Sequence, residues 1–143
     1  ERGVNPLKLR KGQMDMTQVR IEHVNITVSD PARTAAMLQA LFGWHIRWQG
    51  RAASGGHTIH VGSDTDYLAV YSMHPDSSGR AGFAKGAPLN HVGIEVDDLG
   101  AIERKVIAQG LVPFSHGDYE PGRRFYFFDL DGIEYEIVSY TRA

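Results

Sequence analysis

The feature that most constrains this chain is a repeat. Ile21–Asp30 aligns with Leu89–Asp98, sixty-eight residues later, and five of the ten positions are identical: His23 with His91, Val24 with Val92, Ile26 with Ile94, Val28 with Val96 and Asp30 with Asp98. One residue of slip then brings Gly43 onto Gly110 and Ser72 onto Ser139. Matched Val and Ile are ordinary in any two strands. His, Asp and a helix-ending Gly in step with them mark the duplication of a structural unit.

Each copy reads as β-α-β-β-β. In the first, Val24, Ile26 and Val28 alternate with Asn25 and Thr27, the pattern of a half-buried strand. Asp30-Pro31 supplies an N-cap and a first-turn proline, Ala32–Phe42 is rich in helix formers, and Gly43 closes the helix. Trp44–Trp48, His57–Val61 and Tyr67–Ser72 are β-prone, the last two forming a hairpin around Gly62–Asp66. In the second copy Leu89–Val96 reads as a strand, and Asp97 or Asp98 caps a helix with a Leu99, Ile102, Val106 stripe ended by Gly110. Strands are expected at Leu111–Ser115, Arg124–Phe128 and Ile133–Tyr140, with a tight turn at Asp129–Gly132. The expected class is α+β: two tandem βαβββ modules, 19–74 and 88–140, in a single domain, 19–143, joined by the Gly/Pro/Ser-rich stretch Met73–Pro88. Residues 1–18 show no period and no apolar core. They read as an extension able to wrap a partner subunit rather than as a signal peptide, so the expected location is the cytoplasm.

A helix covers one face of each module's sheet and leaves the other open, so two modules can curl their open faces into a cleft. Strand parity sorts the side chains. Val24, Ile26 and Val28, with Val92, Ile94 and Val96, should face the helices; His23, Asn25 and Thr27, with His91, Gly93 and Glu95, should face the cleft. In the last strand Tyr135 and Ile137 share one parity, and Glu134, Glu136 and Val138 the other. Two Glu in an otherwise apolar strand are costly unless a metal or a polar network meets them.

Composition narrows the chemistry. The chain has no cysteine, which excludes disulfides, thiolate metal sites and Cys nucleophiles. Any metal must sit on imidazole and carboxylate, and seven His and seventeen acidic residues can supply them. A net charge of −2 argues against a nucleic-acid partner, and no long apolar run argues for a membrane span. The expected ligand is a small molecule.

Three segments carry a resemblance: Glu22–Asp30, Asn90–Asp98 and Phe127–Glu136. They are similar to the vicinal oxygen chelate superfamily, which includes glyoxalase I, methylmalonyl-CoA epimerase, fosfomycin-resistance enzymes, bleomycin-resistance proteins and extradiol dioxygenases. The resemblance covers about Val19–Tyr140 and implies metal ligands at His23, His91 and Glu136. The fourth ligand slot, where glyoxalase I usually carries a carboxylate, falls on Ala69. Two His and one carboxylate suit Fe(II) or Mn(II), with Zn(II) or Ni(II) as alternatives. The resemblance therefore implies a metal-dependent enzyme acting on vicinal oxygens, weighted towards an extradiol dioxygenase (an oxidoreductase). The alternatives are a glyoxalase- or epimerase-type lyase or isomerase and a metal-free, bleomycin-resistance-like binding protein. It also implies a homodimer. Tyr126, ten residues before Glu136, and the nearby His116 are the candidate proton-handling residues. Tyr67, Ala69 and Tyr71 share a parity that can line the cleft, and Arg124 can clamp an anionic substrate or simply be solvated.

Overall fold

The computed structural model describes residues 19–53, 55–74, 89–119 and 122–141. The extension 1–18 and most of the linker, from residue 75 to 88, lie outside the described residues. The elements are β1 (His23–Thr27), α1 (Pro31–Phe42), β2 (His45–Arg51), β3 (His57–Gly62), β4 (Tyr67–Ser72), β5 (Val92–Glu95), α2 (Leu99–Ala108), β6 (Phe114–Tyr119), β7 (Gly122–Phe128) and β8 (Glu134–Ser139). They form two four-stranded sheets with the same order, β1-β4-β3-β2 and β5-β8-β7-β6. This is the expected α+β duplication. In each module the first strand pairs in parallel with the last, His23 opposite Tyr67 and Gly93 opposite Glu136, while the other pairings are antiparallel.

The helix ends are set by the residues that the sequence offers. Asp30 stands extended before α1, and its carboxylate accepts from the Arg33 backbone N–H at 3.2 Å. Asp98 repeats the cap on α2, accepting from the Ala101 N–H at 3.0 Å. Gly43 stops α1 at φ +67, a left-handed conformation that costs glycine nothing.

α1 packs on β3 and β4, α2 on β7 and β8, and the two helices touch each other. One apolar cluster results. It joins Ile26, Val28, Leu38, Leu41, Ile59 and Val70 of the first module to Val106, Phe125, Phe127, Tyr135 and Ile137 of the second. Burying a side chain of this size stabilises by about 1.5–3 kcal/mol, so this helix side holds most of the fold's hydrophobic energy.

Three expectations need correction. Val24 is 39% exposed rather than packed on the helix, because β1 is an edge strand and its start runs past the helix. β6 begins at Phe114, three residues later than the Leu111 start; Leu111 instead packs against the core. His91 sits one residue before β5, not within it.

The modules are also tied by a polar seam. The Asp129–Gly132 turn of the second module reaches the start of α1 in the first. Asp131 Oδ1 accepts from the Ser29 backbone N–H at 3.0 Å, and Arg33 Nη2 lies 3.8 Å from Asp131 Oδ2 while donating to Ser29 Oγ at 2.7 Å. Asp129 holds the turn, its Oδ1 accepting from the Asp131 and Ile133 N–H groups at 2.9 Å each. Its Oδ2 is buried without a hydrogen-bond partner among the described residues, as is the Tyr135 hydroxyl. Burial pushes Asp129 up to about 6, and the charge of Asp131 adds to this; the two backbone hydrogen bonds and Arg33 act the other way.

The seam yields two predictions. Asp131→Ala leaves the Ser29 N–H buried and unmet and removes the carboxylate beside Arg33, and should cost about 1–3 kcal/mol in urea unfolding. Asp129 binds its proton more tightly folded than unfolded. Its contribution is therefore present at low pH and is lost as the pH rises from about 4 through about 6. Asp129→Asn keeps an acceptor for both N–H groups without the charge. Relative to the parent it should match near pH 3 and gain up to about 3 kcal/mol at pH 8. An equal difference at both pH values would refute this.

Candidate functional site

The concave faces of the sheets carry the polar residues, because Tyr135, Ile137, Phe125 and Phe127 take the opposite parity into the core. On the second sheet His91, Glu136, Arg124 and Tyr126 come together. His91 Nε2 lies 2.9 Å from Glu136 Oε2, and Arg124 Nη1 donates to Glu136 Oε1 at 2.8 Å. Asn90 Oδ1 meets His91 Nδ1 at 2.8 Å, with Glu134 Oε2 farther away at 3.9 Å. The cross-strand register sets Tyr126 opposite Glu136, and the Tyr126 ring meets His91 edge-on at 5.9 Å. The two Glu of β8 thus meet Arg124 of β7 and His91 just ahead of β5, as their burial demands.

His23 is positioned differently. It sits at the exposed start of β1, with Nδ1 against Glu22 and its ring stacked on Tyr67 at 4.9 Å. That hydrogen bond, with help from the His23 and Arg47 charges, holds the Glu22 carboxyl below its usual range. Tyr67 continues the stack to His60 at 4.7 Å and carries the Arg47 guanidinium over its face at 4.5 Å. Burial and the negative charge of Glu22 raise the Tyr67 phenol.

Among the described residues no three His, Asp or Glu lie close enough together to hold a metal ion. His91 and Glu136 lie side by side, and the His23 of the same chain is not brought to them. Both His do line one large cleft, of about 1080 Å³, between the outer edges of β1 and β5. Each of these edge strands bonds a neighbour on one side only.

The remaining predicted residues divide by face. Ala69 is buried on the concave face of the first sheet, across from His60 and between Tyr67 and Tyr71. Simple alternation would set His116 on the same face as Phe114. Instead Ser115 takes φ +52, and the register breaks between Phe114 and Gly117. The extra residue turns His116 onto the helix side, where its Nε2 meets Glu103 of α2 at 2.5 Å and its ring lies against Phe125. The structure therefore does not bring His116 to His91 and Tyr126. Sequence reasoning missed Asn90, which orients His91. The signal was its place beside a candidate ligand, matching Glu22 beside His23 in the repeat.

The chain belongs to the Glyoxalase/Bleomycin resistance protein/Dioxygenase superfamily, whose family model matches residues 20–137. Several solved structures share the fold. A glyoxylase/bleomycin resistance protein/dioxygenase domain from Frankia sp. EAN1pec is 20% identical, with a TM-score of 0.73, covering 85% of this chain and 98% of its own. The fosfomycin resistance protein FosX from Listeria monocytogenes, complexed with Mn(II) and sulfate, is 16% identical, with a TM-score of 0.65 and coverages of 84% and 91%. A protein from the mobile metagenome of V. Pseudocholerae is 19% identical, with a TM-score of 0.64 and coverages of 90% and 100%. No curated protein matches the chain. Neither described helix is long and apolar enough to cross a membrane.

The Arg124–Glu136 pair is open to a double-mutant test, since both side chains are largely buried. Arg124→Met should destabilise by about 2–4 kcal/mol, because it strips a buried carboxylate of its cation, and the double variant Arg124→Met/Glu136→Met should recover most of that loss. Additive losses in chemical denaturation would show that the pair is not coupled.

Proposed function

We propose that this chain is a divalent-metal-dependent enzyme acting on a small molecule that presents two neighbouring oxygens, with each metal site shared between two copies. The observation that carries the reading is the His91–Glu136 half-site, 2.9 Å apart on one sheet, with a second exposed His at the duplicated position of the other sheet. Within one chain the donors do not fit a metal. Between two chains the donor set of His23 from one, with His91 and Glu136 from the other, has the imidazole and carboxylate chemistry that Mn(II) or Fe(II) takes. The one-sided edges of β1 and β5 and the exposed Val24 suit a second copy seated there.

A bound metal would supply a Lewis acid for oxyanions formed on the substrate. The protein's own groups do the rest. Asn90 fixes the His91 ring through Nδ1, leaving Nε2 for the ligand position. Arg124 holds one oxygen of Glu136 and leaves the other towards His91. Tyr126 stands beside His91 as the candidate proton-handling group. With His116 paired to Glu103, the dioxygenase-like variant loses its second proton handler, and the geometry favours Lewis-acid chemistry on vicinal oxygens in which Tyr126 acts without it. One observation favours the alternative of a metal-free binding protein: Arg124 and His91 already satisfy Glu136.

Mn(II) titration followed by electron paramagnetic resonance separates the two. The purified full chain should bind one Mn(II) per chain, and His23→Ala, His91→Ala and Glu136→Gln should each weaken binding by at least about tenfold. A chain that takes up no Mn(II), Fe(II), Zn(II) or Ni(II) would leave the metal-free binder standing.

A further inference from the structure

We propose that the cleft between α1 and the Asp129–Gly132 turn, on the helix side of the fold, is a binding site for a small aliphatic amine in its ammonium form. The site is separate from the one of the proposed reaction and needs neither the metal nor the concave faces.

The cleft holds about 340 Å³ and takes its walls from both modules. Junctions between packed units are common places for small ligands, and this volume suits one. Arg33, Ala36, Met37 and Ala40 recur along one stripe of α1 and make one wall. Leu111, just past α2, and Leu130, in the turn, make the other. Ala36 and Ala40 are exposed, so the helix offers methyl groups with no large side chain over them. Leu130 is 50% exposed although Asp129 and Asp131 on either side of it are buried. The apolar part of the cleft is therefore open and lies outside the core.

The polar end carries more negative charge than positive. Asp129 and Asp131 line it, and Arg33 is the one cation among the described residues that do. Arg33 Nη2 donates to Ser29 Oγ at 2.7 Å and stands 3.8 Å from Asp131 Oδ2, while Asp131 Oδ1 accepts from the Ser29 N–H. Asp129 is 8% exposed and spends Oδ1 on two backbone N–H groups. Its Oδ2 has no hydrogen-bond partner among the described residues. A buried polar atom left unmet is uncommon in folded proteins and calls for a partner. A carboxylate oxygen only accepts, so the missing partner is a donor.

Charge and shape together define the ligand. Two carboxylates against one guanidinium leave a negative charge unbalanced, which an ammonium group cancels while it donates. A bare ammonium ion leaves the methyl groups and Leu130 uncovered, and an alcohol covers them without bringing charge. An amine on a short alkyl chain does both. Burial pushes Asp129 up to about 6 and the charge of Asp131 adds to this, while its backbone hydrogen bonds and Arg33 act the other way. The other titratable group beside it is Tyr135 of β8, raised by burial and by the two Asp charges. Asp129 is therefore ionised at pH 8 and mostly protonated at pH 5, where the attraction for a cation is lost.

Amide chemical-shift titration of the full isotope-labelled chain in EDTA, at constant ionic strength, tests the proposal. The probes are n-pentylammonium, pentanoate, 1-pentanol and ammonium chloride. n-Pentylammonium should saturate, with its largest shifts at residues 33–40 and 129–133, and bind at least about tenfold more tightly than each of the others at pH 8. At pH 5 it should bind about tenfold more weakly, because Asp129 is then protonated while an aliphatic amine keeps its proton at both values, as lysine does. Asp129→Asn keeps an acceptor for the turn and sets an NH₂ donor where the unmet oxygen stands. It should weaken n-pentylammonium about tenfold or more and leave 1-pentanol unchanged, whereas Ala40→Leu, at an exposed helix position, should weaken both pentyl probes. Absence of saturation, shifts centred on other residues, equal binding of pentanoate or ammonium, or wild-type affinity in both variants would overturn it.

Discussion

Each sheet in this protein packs its apolar core on the one face that its helix covers. Everything else follows from that restriction. α1 and α2 pack on their own sheets and on each other, so the apolar cluster lies on the helix side of both. The strand period of two then sends every alternate residue to the uncovered face. Polar and ionisable side chains gather there because that face is outside the core, and His91, Glu136, Arg124 and Tyr126 meet one another for the same reason.

The duplication makes the two concave faces equivalent in backbone and leaves their side chains to differ. On the second sheet, carboxylates at β8 draw in His91 and Arg124. On the first, alanine at the matching centre leaves stacked rings and unspent hydrogen-bonding groups. The seam at Asp131 and Ser29 ties the modules on the helix side, away from both faces. A chain built this way holds the modules together without bringing His23 to His91 and Glu136. On the proposed reading, the third donor comes from a second copy.

Much of this was legible in the sequence. Asp30-Pro31 and Gly43 mark the limits of α1, and Asp98 caps α2, because caps act through local backbone geometry. The repeat fixes the order of elements, and parity separates Tyr135 and Ile137 from Glu134 and Glu136. What was not legible depends on tertiary position or on a break in alternation. Val24 follows the apolar pattern but sits on an edge strand beyond the helix. His116 follows the alternation until the bulge at Ser115 reverses it, and nothing in Phe114-Ser115-His116-Gly117 announces a left-handed serine. The cleft between α1 and the Asp129–Gly132 turn joins residues far apart in the chain, which no local pattern marks.

Subunit complementation distinguishes most directly a site shared between two copies from a site within one chain. His23→Ala and His91→Ala chains are each expected to bind Mn(II) poorly. If His23 of one copy serves the His91 and Glu136 of the other, a mixed dimer of the two variants holds one intact site and one doubly damaged site. Unfolding and refolding them together at equal ratio should then restore Mn(II) binding to about one quarter of the wild-type sites, from statistical assortment of half the dimers with one site each. No recovery in mixtures shown to contain the mixed dimer, or full Mn(II) binding by a wild-type monomer, would contradict the account.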